Sequence, residues 1–145
     1  MASVNNTDEL RKWFRTCPVI QKSKRFRIDY LAEDPTEYAI IAVPSSLSYH
    51  ENIMGEEVPD EIQIQNFIFA SKENYGADTQ QNLDNLAFYQ GVVDWILEQN
   101  SIRNFPAWQG GVIKSIVPTL TVYTAQVEVS AAKYQIQIRI TYRRL

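Results

Sequence analysis

Apolar and polar residues follow two different periods along this chain, and the periods mark out its elements. Leu10, Trp13, Phe14 and Cys17 recur at helical spacing, with Arg11, Lys12 and Arg15 on the other face. Asn6 or Thr7 can cap this helix, Asp8 and Glu9 lie in its first turn where the helix dipole favours acids, and Pro18 stops it. A short helix is therefore predicted over Thr7–Cys17. Lys24–Leu31 alternates: Phe26, Ile28 and Tyr30 point one way, Arg25, Arg27 and Asp29 the other, as in a half-buried strand. Glu33-Asp34-Pro35 signals a turn, and Glu37–Val43 reads as an inner strand forming a hairpin with the first. In Glu61–Ser71, Ile62 and Ile64 share one parity and Phe67 and Phe69 the opposite one, which suggests a bulge near Asn66 or a strand covered on both faces. Lys72–Asp78 reads as a turn.

Asp78–Asn100 is the longest helical pattern. Leu83, Leu86, Ala87, Gln90, Val93 and Leu97 form its predicted buried stripe, widened by Tyr89, Val92 and Ile96, and Trp95 beside it is expected to be partly exposed. Gly91 inside this helix costs up to about 1 kcal/mol against alanine and marks a close backbone contact. After a loop over Arg103–Gly111, Val112–Val129 is β-rich. Pro118 within it calls for an edge strand or a bulge. Ser130–Ala132 connects to Lys133–Arg143, where Tyr134, Ile136, Ile138, Ile140 and Tyr142 alternate with polar residues, as in a sheet with one covered face. The order α-β-β-β-α-β-β predicts an α+β fold: a largely antiparallel sheet, with the helix at about 78–100 packed on the face of Tyr134, Ile136 and Ile138. The 145 residues read as a single domain, 1–145, with a long loop at about 44–60. Leu47, Tyr49, Ile53 and Met54 give that loop apolar side chains that a plain linker lacks.

Composition removes many chemistries. No apolar run is long enough for a membrane span, and polar Met1–Thr7 predicts no secretory signal. A single cysteine, Cys17, excludes an internal disulfide and a cysteine zinc site, and reads as a small buried hydrophobe. The single histidine, His50, reads as a solvated loop residue, since Ser45, Ser46 and Ser48 beside it lack a nucleophile-elbow pattern. Gly110-Gly111 fits a turn, not a phosphate loop. The expectation is no catalytic residue, no cofactor and no metal.

The net charge of −3 hides segregation: residues 1–30 carry seven basic against three acidic groups, 31–100 one against thirteen, and 101–145 six against one. Two readings stay open. The charges merely solvate a mixed surface, or the protomer has an acidic and a basic face that attract copies head to tail, a contact that closes into rings. The basic candidates are Arg11, Lys12, Arg15, Arg25, Arg27, Arg139, Arg143 and Arg144, and the acidic ones Glu51, Glu56, Glu57, Asp60 and Glu61. Trp13 reads as core, whereas Trp108 fits core packing and an interface anchor equally. An acidic chain without an RRM, KH or helix-turn-helix signature gives no support to direct nucleic-acid recognition.

The run Leu86-Ala87-Phe88-Tyr89-Gln90-Gly91-Val92-Val93-Asp94-Trp95-Ile96, followed by Glu98-Gln99-Asn100, a Pro/Gly loop and the terminal Ala132–Tyr142 strand, resembles small structural proteins of tailed phages and prophages of Gram-positive bacteria. These are the tail terminator (tail completion) or "minor capsid" proteins of the head–tail module, and the resemblance extends to the N-terminal helix and the Arg25–Leu31 strand. It implies an α+β protomer without enzymatic activity. It also implies a homo-oligomeric ring, commonly a hexamer, that caps the tail tube and contacts tube and head–tail connector proteins within the virion after synthesis in the bacterial cytoplasm. It supplies no residue roles, and tail terminator and head completion protein both remain open. The rival class is a small-ligand-binding or enzymatic α+β domain with a pocket between the long helix and the sheet, for which only Tyr89 and Gln90 offer inward polar groups.

Overall fold

The computed structural model describes residues 6–20, 26–28, 38–74, 79–127 and 131–145. The predicted turn at Ala32–Thr36, the Asp78 cap, Ser130 of the last connection and residues 75–78 of the predicted Lys72–Asp78 turn lie outside them; the start of that turn, Lys72–Asn74, and Ala131–Ala132 of the connection are instead strand, paired with one another. Helix α1 (Asn6–Phe14) is followed by strands β1 (Phe26–Ile28), β2 (Tyr38–Val43), β3 (Tyr49–Glu51), β4 (Glu57–Pro59) and β5 (Ile62–Asn74). Helix α2 (Thr79–Ile102) then leads to β6 (Gly111–Val127) and β7 (Ala131–Arg144). The main sheet has the order β1-β2-β5-β7-β6 and is antiparallel except at β1–β2; β3 and β4 form a separate two-stranded sheet. The fold is α+β, as the element pattern predicts.

Both helices pack on one face of the sheet, called here the inner face. Phe14 of α1 stacks on Phe69 of β5 at 5.1 Å between ring centroids, and Trp13 meets Trp95 of α2 at 4.5 Å. Tyr89 of α2 lies over Phe69 and Tyr134 at 5.8 and 5.9 Å. Its hydroxyl donates to the Tyr134 carbonyl at 3.0 Å and shares a short hydrogen bond with Ser71. Burial pushes the Tyr89 phenol well above its ordinary pKa, so it stays a neutral donor. β7 supplies buried Tyr134, Ile136, Ile138 and Ile140 to the same face, as its alternation predicts.

Several boundaries and faces differ from expectation for physical reasons. α1 ends at Phe14, short of Cys17, because its last turn tightens: Thr16 and Cys17 donate to the carbonyls three residues back, at 3.0 Å each. β1 pairs with β2 in parallel, not as a hairpin, with Phe26 opposite Tyr38. Alternation sets which face a side chain takes but not which way a neighbouring strand runs. β5 holds an unbroken register with β7 from Ile62 to Asn74, so its parity change is no bulge: Phe67 and Phe69 face the core, and Ile62 and Ile64 face outward and are exposed.

The largest difference is the rotation of α2. Its buried line is Asn85, Tyr89, Val92, Ile96 and Gln99, joined by Trp95, while Leu83, Leu86, Ala87, Gln90 and Leu97 face solvent and Val93 is half-buried. The helix is apolar around most of its girth, so periodicity alone leaves its orientation open, and the aromatic shape of the core decides it. Gln90 turns away from the sheet and donates to Asp94 at 2.9 Å. Gly91 does mark a close approach: a methyl there would meet a Val19 side-chain carbon at 3.3 Å. Pro118 lies on the edge strand β6 at one of its register shifts against β7, satisfying both predicted readings.

Candidate assembly surface

The segment expected as a loop contains a built arm. Tyr49, His50 and Glu51 of β3 pair with Pro59, Val58 and Glu57 of β4. Asn52 organises the reversal: its side-chain oxygen accepts from the Met54 and Glu56 N–H groups at 2.9 and 3.0 Å, and its carbonyl accepts from Gly55 at 3.0 Å. Gly55 takes φ +79°, the left-handed residue of a three-residue hairpin turn. This ordered turn lifts Ile53 and Met54 into solvent at 105% and 79% exposure. An isolated two-stranded hairpin is marginal in water, so the base matters. There the buried Gln63 amide clamps it, accepting from Ser48 N–H at 2.9 Å and donating to the Ser48 and Asp60 carbonyls at 2.8 and 3.0 Å. Sequence reasoning missed Gln63, because a glutamine between Ile62 and Ile64 looks like any polar residue of an alternating strand.

The arm carries most of the acidic candidates. Glu51 and Glu57 face each other directly across the strands, a like-charge pairing that destabilises a hairpin. Among the described residues no cation pairs with Glu51, Glu56 or Glu57. Asp60 bonds His50 at 2.7 Å, making the histidine a cross-strand strut of the arm. Glu61 sits at the foot, 3.8 Å from Arg143.

The basic candidates divide. Arg11 binds Asp8 at 2.5 Å and the Phe26 carbonyl at 3.2 Å, and Lys12 reaches Glu9 and Asp8 at 3.4 and 3.5 Å. Those acids raise the Lys12 pKa. Arg15 lies over the Phe26 ring at 5.9 Å. The α1 bases are thus engaged within the protomer, and do not form an open basic patch. Arg25 lies outside the described residues, and Arg27 is placed only as a backbone position of β1, opposite Ala39. Arg139 and Arg143 stand exposed on the outer face of β7, and exposed Arg144 lines the groove beneath the arm.

Two open surfaces with apolar character remain. On the outer sheet face, Arg139 lies between Asn66 and Val117, and Arg143 between Ile62 and Val112, with exposed Ile64 in the intervening row. Exposed Leu83, Leu86 and Leu97 of α2 form the second surface, interspersed with Asp84, Asp94 and Glu98, and α2 contains no lysine or arginine. A groove of about 330 Å³ runs between the arm and the sheet end, lined by Leu47, Tyr49, Pro59, Gln63, Tyr142 and Arg144. Trp108, half-buried, packs 5.5 Å from Tyr142 and supports the groove floor, so its contacts are with the body of the protein.

Cys17 is buried, and desolvation raises its thiol pKa, which keeps it protonated and unreactive. Among the described residues no group of three His, Cys, Asp or Glu side chains stands close enough to share a metal ion. The space between α2 and the sheet is filled by Tyr89, Val92 and Ile96 against Phe67, Phe69 and the β7 isoleucines. Among the described residues no helix is long and apolar enough to cross a membrane. Compared with known protein families and with characterised proteins, the chain matches none.

Proposed function

We propose that this chain is a structural protein of a tailed-phage virion, of the tail terminator (tail completion) class, which assembles with copies of itself at the head-proximal end of the tail tube and joins it to the head. The observation that carries this is the β3–β4 arm, whose ordered turn displays Ile53 wholly and Met54 largely to water on an acidic stem. Large apolar side chains at the tip of a structured projection suit insertion into a neighbour. The resemblance of the α2 and β7 sequences to that class supplies the setting, and the filled space between α2 and the sheet weighs against the small-ligand reading.

Deletion of the gene from its phage or prophage tests the proposal. Electron micrographs should then show separated heads and tails, with tails of irregular length, and supplying the gene in trans should restore joined particles. Normal, joined particles from the deletion strain overturn it.

A further inference from the structure

We infer that the acidic arm of one copy docks on the outer sheet face of the next, with its Ile53–Met54 tip set among Ile62, Ile64 and Val117 and its glutamates facing Arg139; this rests on the self-assembly proposed above. Three observations converge. First, both patches are open: Ile53 and Met54 stand in water, Ile62 and Ile64 are exposed, and among the described residues the helices pack on the inner face. Second, the arm holds Glu51 and Glu57 directly opposite each other with Glu56 beside them, and among the described residues none of the three has a cation partner. A cation from outside relieves that repulsion. Third, charge selects between the two apolar surfaces. The α2 stripe is interspersed with Asp84, Asp94 and Glu98 and has no base, so it repels the arm, whereas the outer sheet face presents Arg139 in the row between Asn66 and Val117.

The contact is heterologous: arm and face are different patches of the same chain. Repetition therefore generates a ring where the rotation closes and an open filament where it does not. Burial of the apolar tip supplies adhesion, and the exposed charges supply choice of partner and a dependence on salt.

Cross-linking of the full chain tests the inference. Copies carrying Met54→Cys are mixed with tagged copies carrying Ile64→Cys or, separately, Leu86→Cys, and treated with a short bismaleimide; buried Cys17 stays out of reach. The inference expects Met54–Ile64 links about tenfold or more in excess of Met54–Leu86 links, since tenfold corresponds to a modest preference of one charged docking site over another. Arg139→Glu, or Arg139→Gln as the milder variant, should cut the yield by a similar factor. Pairing Arg139→Glu copies with Glu57→Lys copies should restore it. Equal linking to both surfaces, no linking to either, or indifference to Arg139 overturns the inference. Rings visible in negative stain without the Met54–Ile64 link remove the interface and leave the functional proposal standing. The link together with normal particles from a deletion strain does the reverse.

Discussion

On the inner face of the sheet, Phe69 is enclosed by Phe14, Phe26, Tyr38 and Tyr89 and has no exposure, while some way along the chain Ile53 stands wholly in water. The inner face pairs buried polar groups as well as apolar ones: Tyr89 bonds Ser71 and the Tyr134 carbonyl, and the Trp13 indole donates to the Asn104 carbonyl at 2.9 Å. The arm is equally well ordered in its backbone, through Asn52 and Gln63, but its side chains contradict isolation in water. Apolar residues crown it and like charges oppose each other. Local rules that hold throughout one part of a fold and fail together in another point to where an external contact is needed.

That contrast makes quantitative demands. Phe69→Ala empties the centre of the aromatic cluster and should lower stability by about 3–5 kcal/mol, read from urea denaturation of the full chain. Tyr89→Phe keeps the ring and removes the hydroxyl. It removes the buried hydrogen bonds to the Tyr134 carbonyl and to Ser71 and should cost about 1–3 kcal/mol in the same measurement. Arg103 ends α2 with φ 58°, where glycine is favoured, so Arg103→Gly should raise stability by about 0.5–1 kcal/mol in thermal melts. Glu56→Lys with Glu57→Lys gives the smallest change in folding. Removing the opposed charges should stabilise the protomer by about 0.2–1 kcal/mol, yet sedimentation should show weakened self-association. Assembly unchanged at low and high salt would mean the arm's acids take no part in it.

Much of the inner face is readable from residue order. Strict alternation from Tyr134 to Tyr142 identifies β7 and its buried side, Pro118 announces the irregular edge strand, and Gly91 announces the approach of Val19. The orientation of α2 is not readable, because leucines lie on both sides of it and only a formed aromatic cluster prefers Tyr89 and Trp95 over Leu86 and Leu97. The parallel β1–β2 pairing escapes for a related reason: three residues carry a face but no direction. At the proposed contact, the acidic candidates lie close together because β3 and β4 are joined by one turn. The basic candidates do not. Arg11 and Lys12 are consumed by acids one helical turn away, a local i, i+3 and i, i+4 geometry that the α1 sequence already contains. Gln63, which anchors the arm, leaves no trace in composition or period.

The start of α1 is tied to the loop before β6, where the Asn6 amide accepts from the Gln109 N–H at 2.7 Å and donates to its carbonyl at 3.3 Å, across 103 positions of chain. During synthesis, at about 5–20 residues per second, the first helix thus waits several seconds for the partner that fastens it. Until the ribosome has released most of the polypeptide, Trp13 lacks Trp95 and the Asn104 carbonyl. Expression yield should therefore respond more to the chaperones that shield this nascent segment than to the speed of any local step.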